Sequence, residues 1–176
     1  MKVEALPLSG AYLIQLFRVE DERGVFFKPY HRDKLAEAGI VFDPKESICS
    51  MSHKHVLRGM HFQKEPHAQA KLVYCPHGSI LDVILDMRPD SETFGKFYSV
   101  ELSAQNGLSL FIPEGFAHGF LALSEYALTS YLMNRVYAPE ADSGILWNSF
   151  GYHWPVDAPI ISPRDSEFVA FDHLII

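Results

Sequence analysis

Hydrophobic and polar positions alternate in short blocks along most of this chain. Ala11 to Val19 reads as a strand, Glu20 to Gly24 as a polar turn, and Val25 to Tyr30 as an aromatic-rich returning strand, together a hairpin signal. Asp33 to Ala38 has helical character, with Asp33 placed to cap the start and Gly39 to end it. From Ser47 onward the pattern is all short strands. Ser79 to Met87 sets Leu81, Val83, Leu85 and Met87 on one face and Asp82 and Asp86 on the other. Lys96 to Leu102, Leu108 to Ile112, Gly119 to Leu123 and Leu128 to Val136 follow. The spacers carry turn chemistry: His77-Gly78, Arg88-Pro89-Asp90, Gln105-Asn106-Gly107 and Pro113-Glu114-Gly115. Strands recurring about every ten residues predict an all-β sandwich or barrel with few short helices. From about residue 138 the chain turns loop-rich (Pro139, Gly144, Gly151, Pro155) and reads as a wrap over the barrel. No repeat, low-complexity segment or linker divides it, so residues 1–176 are expected to form one domain.

Composition sharpens this picture in three ways. The net charge of −7 argues against nucleic acid or an anionic membrane as partner, and an anionic ligand would need a local cluster of cations. Cys49 and Cys75 are the two cysteines, both in strand-like context, and two buried free thiols in a reducing compartment are expected. The N-terminus lacks an apolar leader core, and no apolar run approaches the ~20 residues of a membrane span, so a cytoplasmic protein is expected.

Two stretches combine strand signals with concentrated polar groups: Val56 to Val73 (VLRGMHFQKEPHAQAKLV) and Phe111 to Leu123 (FIPEGFAHGFLAL). The plain reading of Arg58 and Lys71 is two solvated charges. Set beside apolar strand residues and His61, they could instead hold a phosphate or steady an oxyanion. His61, between Met60 and Phe62, is either a satisfied core histidine or a general base that needs a carboxylate partner. Nothing in the local pattern selects that carboxylate. His118 in PEGFAHG resembles the second motif of cupin barrels, where the histidine is often a metal ligand. The other half of such a site is weak here: His53 and His55 precede Arg58 and have no glutamate at suitable spacing. Tyr131 and Tyr137 are six apart, so on one extended strand they would share a face. They are either aromatic core or phenols that meet a cavity and donate protons.

As a set, the motifs resemble the dTDP-4-dehydrorhamnose 3,5-epimerase family. They are ERGVFF (Glu22 to Phe27), VLRGMHFQ (Val56 to Gln63), QAKLV (Gln69 to Val73), DVILDMRPDSETFGK (Asp82 to Lys96), VELSAQN, FIPEGFAHGFLALSE, YAPE, GILWN and HWP. They cover most of the chain in the family's order. The resemblance implies a cupin-type jelly roll without metal or other cofactor, and a homodimer that exchanges N-terminal strands. It implies a nucleotide-diphosphate 4-keto-6-deoxy sugar as substrate, epimerised at C3, C5 or both. It assigns His61 as base, Asp165 as its carboxylate partner, Tyr131 as the acid on the opposite face and Lys71 beside the C4 oxygen. Arg58 and His118 fall near the pyrophosphate and sugar, and Arg23 and Phe26 at the nucleotide end. Gln63, Tyr137, Lys28 and Glu46 complete the expected substrate-binding set.

Three positions depart from the family pattern: Lys28 replaces a glutamate, Glu46 a glutamine and Ile48 an asparagine. They point to the nucleotide rather than the sugar, with Lys28 and Glu46 either pairing with each other or Glu46 accepting from the base. The alternatives are a single-carbon epimerase on a differently activated deoxy sugar or heptose (GDP or CDP form), a metal-dependent cupin enzyme, or a non-catalytic sugar-binding cupin.

Overall fold

The computed structural model describes residues 1–174, built around two facing antiparallel sheets. One sheet has six strands in the order β1 (Lys2–Ala5), β2 (Tyr12–Gln15), β10 (Leu108–Ile112), β7 (Lys71–His77), β12 (Tyr126–Met133) and β5 (Glu46–His53). The other has five: β13 (Asp142–Gly144), β6 (Leu57–Gln63), β11 (Phe116–Ala122), β8 (Ser79–Asp86) and β9 (Phe97–Ser103). From β5 to β12 the chain passes repeatedly from one sheet to the other, a jelly roll of the cupin type. A further hairpin, β3 (Phe17–Asp21) with β4 (Gly24–Lys28), pairs only with itself among the described residues.

Three apolar layers hold this frame. Between the sheets, Val73, Ile80, Ile84, Leu102, Leu110, Phe116 and Phe120 interdigitate. The outer face of the six-stranded sheet is closed by α1 (Arg32–Glu37) and the chain after it, through Leu35, Ile40 and Phe42 against Ile14, Leu72 and Phe111. The outer face of the five-stranded sheet is closed by the C-terminal wrap, with Ile145, Phe150 and Trp154 over Leu57, Val83, Leu85 and Leu121. β8 is therefore apolar toward the wrap, as its alternation predicts. Its polar face points into the barrel, where Asp82 and Asp86 are completely buried. Among the described residues no helix is long and apolar enough to cross a membrane.

Several boundaries move for physical reasons. The expected strand Ala11 to Val19 breaks at Leu16, which buries its side chain and donates its N–H to the Gly107 carbonyl at 2.9 Å. The N-cap position falls at His31, two residues before the expected Asp33, and its side chain makes no capping hydrogen bond, so Asp33 lies in the first turn at the positive end of the helix dipole. The helix ends as expected: Gly39 (φ +82) and Ile40 donate back to the Ala36 and Leu35 carbonyls, and Ile40 packs near Leu35. β12 stops at Met133 because the Asn134 amide is taken up, accepting from the Ala70 N–H at 2.8 Å and donating to Glu114 at 2.9 Å. Tyr137 thus lies beyond the strand, and the shared-face argument for Tyr131 and Tyr137 does not apply. Cys75 is buried and free, but Cys49 is exposed, because it lies on the outward side of β5 at the sheet edge.

Candidate active site

Both polar stretches of the sequence meet at one end of the barrel, around a cavity of about 490 Å³. Its wall on the five-stranded sheet carries Arg58 and His61 from β6 and His118 from β11. Its wall on the six-stranded sheet carries Lys71 from β7, Tyr131 from β12, and Glu46, Ile48 and Ser50 from β5.

Arg58 and His61 are three apart and would face opposite ways on a regular strand. A bulge resolves this: Arg58 pairs with Phe120 and His61 with His118, so three steps on β6 match two on β11. Gly59, at φ +135, makes the bulge. A Cβ there would come within 2.5 Å of the Gly119 Cα, so the two strands need glycine at both positions.

His61 Nε2 lies 2.8 Å from Asp165 Oδ1, and the Gly59 N–H donates to Asp165 Oδ2 at 3.0 Å. Asp165 belongs to α2 (Pro163–Ser166), and its own N–H donates to the Ser162 hydroxyl at the helix cap. Burial pushes the Asp165 carboxyl up, but the His61 hydrogen bond and charge, with the Gly59 and Ser162 contacts, more than offset that and hold it below its usual range. An ionised Asp165 keeps the proton on Nε2 and leaves Nδ1 of His61 as the basic nitrogen.

The other titratable groups are tuned by burial. Desolvation brings Lys71 down to about 8, against the opposing pull of Asp142 and Asp82. The Tyr131 phenol is raised well above its ordinary value, first by burial and then by the Asp82 charge, with Arg58 working the other way. His118 is lowered by burial despite Asp82, whose Oδ2 sits 2.8 Å from His118 Nε2. At neutral pH the cavity therefore offers a carboxylate-held imidazole on one wall and a protonated phenol on the other. Lys71, one strand from Tyr131, supplies an ammonium, and Arg58, hydrogen-bonded to Ser52 at 3.1 Å, a permanent cation.

At the mouth, Glu46 accepts the Tyr137 N–H at 2.7 Å, and the Tyr137 hydroxyl donates to Asp142 at 2.9 Å. Glu46 is thus engaged within its own mouth and not with Lys28. Gln63 also borders the cavity, but its amide is used at both ends, donating to the His67 carbonyl and accepting from the Ala138 N–H. It holds two loops in place. The sequence reading passed over Arg164 and Asp142, which line the mouth and form an ion pair at 2.7 Å. Arg164 directly precedes Asp165, so its nearness to the site follows once Asp165 is placed. It also passed over the Asp82 partnership with His118, which no local pattern announces.

Arg23, Phe26 and Lys28 are not brought to this cavity. They sit on the β3–β4 hairpin, where Arg23 pairs with Asp21 and Phe26 is 61% exposed. Among the described residues no three His, Cys, Asp or Glu side chains cluster as metal ligands.

Residues 5–173 match the family described as dTDP-4-dehydrorhamnose 3,5-epimerase. The chain is 43% identical over 159 residues to the dTDP-4-dehydrorhamnose 3,5-epimerase of Escherichia coli (strain K12), a match covering 88% of this chain and 86% of that protein. It matches the crystal structure of dTDP-4-dehydrorhamnose 3,5-epimerase from Elizabethkingia anophelis NUHP1 with a TM-score of 0.91 and 42% identity, over 98% of this chain and 97% of that one. The crystal structure of dTDP-6-deoxy-D-glucose-3,5-epimerase from Legionella pneumophila Philadelphia 1, in complex with dTDP-4-keto-L-rhamnose, matches with a TM-score of 0.93 and 31% identity, over 99% and 94% of the two chains.

Proposed function

The chain belongs to the dTDP-4-dehydrorhamnose 3,5-epimerase family, and we propose that it inverts C3 and C5 of a dTDP-linked 4-keto-6-deoxy sugar. The observation that carries this reading is the placement of a held base and a buried acid on opposing walls of one cavity. His61 is backed by Asp165 on the five-stranded side, and Tyr131 stands on the six-stranded side.

The chemistry follows from the ketone. Hydrogens at C3 and C5 are both α to the C4 carbonyl, so removing either one forms an enolate. Neutral His61 takes the proton, and Asp165 stabilises the resulting imidazolium. Charge then develops on the C4 oxygen, where the Lys71 ammonium can stabilise it in a site shielded from water. Inversion requires the new proton on the other face. Tyr131 supplies it, because its raised pKa keeps the phenol protonated until the enolate is there to receive a proton. Arg58 and the His118 ring serve the pyrophosphate and sugar.

Arg23 and Phe26 fit this reading in a homodimer. Their hairpin exposes Phe17, Val19, Val25 and Phe26, and an isolated hairpin is marginal in water. Exchanged onto a second copy of the chain, it covers those side chains and carries Arg23 to the nucleotide end of the partner's cavity.

The test is incubation with a dTDP-linked 4-keto-6-deoxyglucose in D₂O, followed by NMR. Deuterium is expected at C3 and C5 together with the inverted sugar. No incorporation at either carbon would falsify the assignment.

A further inference from the structure

His61 is held by more than its carboxylate. Among the described residues its ring has one hydrogen-bond partner, Asp165 at 2.8 Å. A single hydrogen bond fixes Nε2 but leaves the ring free to turn and tilt about that bond. The second contact is aromatic. The Phe168 ring stands against the imidazole at 5.8 Å between centroids and 77° between planes, an edge arrangement. Phe168 follows Asp165 by three residues, so one short turn delivers both groups to the base.

Phe168 is itself seated from two sides. The Arg164 guanidinium lies 5.2 Å from the centre of its ring, and Arg164 is anchored by the ion pair with Asp142 at 2.7 Å. Its second support is Gly144, which stands opposite His61 where β13 pairs with β6. A Cβ on Gly144 would collide with the Phe168 ring, so that ring rests directly on the backbone facing the base. The chain just beyond is tied down as well, the Val169 carbonyl accepting from the Leu146 N–H at 2.8 Å. Phe168 does not line the sugar's cavity, so it bears on the reaction only through the groups it touches.

We propose that Phe168 is a positioning residue for the epimerisation: wedged between Arg164, Gly144 and His61, it sets the plane of the imidazole so that Nδ1 stays aimed into the sugar's cavity. The inference rests on the epimerase reading and extends it. Asp165 fixes which nitrogen is the base, and Phe168 fixes where that nitrogen points. One base that serves both C3 and C5 tolerates little tilt, because proton transfer demands close alignment of donor and acceptor. Phe168 forms no bond to the sugar and moves no proton.

The test removes the wedge in two steps, with a dTDP-linked 4-keto-6-deoxyglucose in D₂O and rates taken per folded molecule. Phe168→Ala should lower kcat about 10- to 100-fold. KM should change little, because Arg164 keeps its bond to Asp142. Phe168→Leu, which retains part of the bulk, should lose only several-fold. The loss is then located in a Tyr131→Phe background, where deuterium wash-in reports proton abstraction by His61 alone. There Phe168→Ala should slow wash-in by the same factor as it slows kcat in the otherwise wild-type protein. Wild-type kcat in Phe168→Ala, a loss confined to KM, or unchanged wash-in in the Tyr131→Phe background would overturn the proposal and leave the epimerase reading intact. If the alanine protein does not fold, the leucine protein decides: a several-fold loss of kcat at constant KM supports the wedge, and wild-type kcat overturns it. Absence of any exchange in the wild-type protein would instead overturn the reading on which the proposal rests.

Discussion

Lys71 shows how a single residue can serve the reaction at the expense of the fold. Burial brings its amine down to about 8, so from there up to its ordinary 10.5 the unfolded chain binds a proton that the folded chain has released. Stability therefore rises with pH across that window, and holding the charged amine inside costs about 3 kcal/mol at neutral pH. Lys71→Met should melt several degrees higher than wild type at pH 7 while losing at least ~10²-fold in turnover. Wild-type turnover should fall as pH rises through about 8, where Lys71 gives up its proton. Thermal melts and a pH–rate profile check both, and a Lys71→Met protein no more stable than wild type contradicts the burial argument. At this scale the sequence was only partly legible. Alternation placed Lys71 and Tyr131 on strands, but His61 and Asp165 lie 104 positions apart and meet only through the fold. Their pairing was available from family resemblance and from no local pattern. The common orientation of Arg58 and His61 depends on a bulge at Gly59 that strict alternation would deny.

Among the elements, the return from β8 to β9 is held by one buried carboxylate. The Asp86 carboxylate, fully buried, accepts from Arg88 Nε at 2.8 Å and from the Ser91 and Thr93 hydroxyls at 2.6 Å each. Burial pushes this carboxyl up, but the hydrogen bonds prevail and bring it down to about 2. A depressed carboxylate contributes stability that is fully present above its unfolded value near 4 and is lost as pH falls through about 2. Asp86→Asn should therefore lower unfolding free energy by ~2 kcal/mol at neutral pH and flatten the acid limb between pH 4 and 2. Denaturant titrations across that range measure it. Turnover per folded molecule should not change, because Asp86 lies outside the cavity lining. This turn was legible as turn chemistry in Arg88-Pro89-Asp90. The burial of both β8 aspartates was not, because alternation reports that two faces differ and not that both are covered. Strand ends were the least legible feature, since Leu16 and Asn134 end strands through long-range hydrogen bonds.

For the whole molecule, the two-layered all-β frame, the C-terminal wrap and a shared polar cavity follow from short strands, loop-rich tail and two polar stretches, and the jelly-roll order from the family resemblance. The role of the N-terminal hairpin does not, because the partner surface proposed for it is another copy of the chain. If Arg23 acts in the partner's site, two defective chains can make one complete site between them. Arg23→Ala and His61→Asn proteins, each nearly inactive alone, should regain up to about a quarter of wild-type activity after mixing, unfolding and refolding together. No recovery in refolded mixtures that form mixed dimers contradicts a hairpin working in trans.

The central claim is that base and acid stand on opposite faces of the sugar and act in separate steps. It is tested most directly by comparing deuterium wash-in with inversion in Tyr131→Phe, in D₂O, on one dTDP-linked 4-keto-6-deoxy sugar. With His61 intact and the opposing donor gone, recovered substrate should gain deuterium at C3 or C5 faster than inverted product forms. His61→Asn should lower both by ~10²–10⁴-fold. A Tyr131→Phe protein that inverts the sugar at the wild-type rate, with no excess deuterium in recovered substrate, would contradict it.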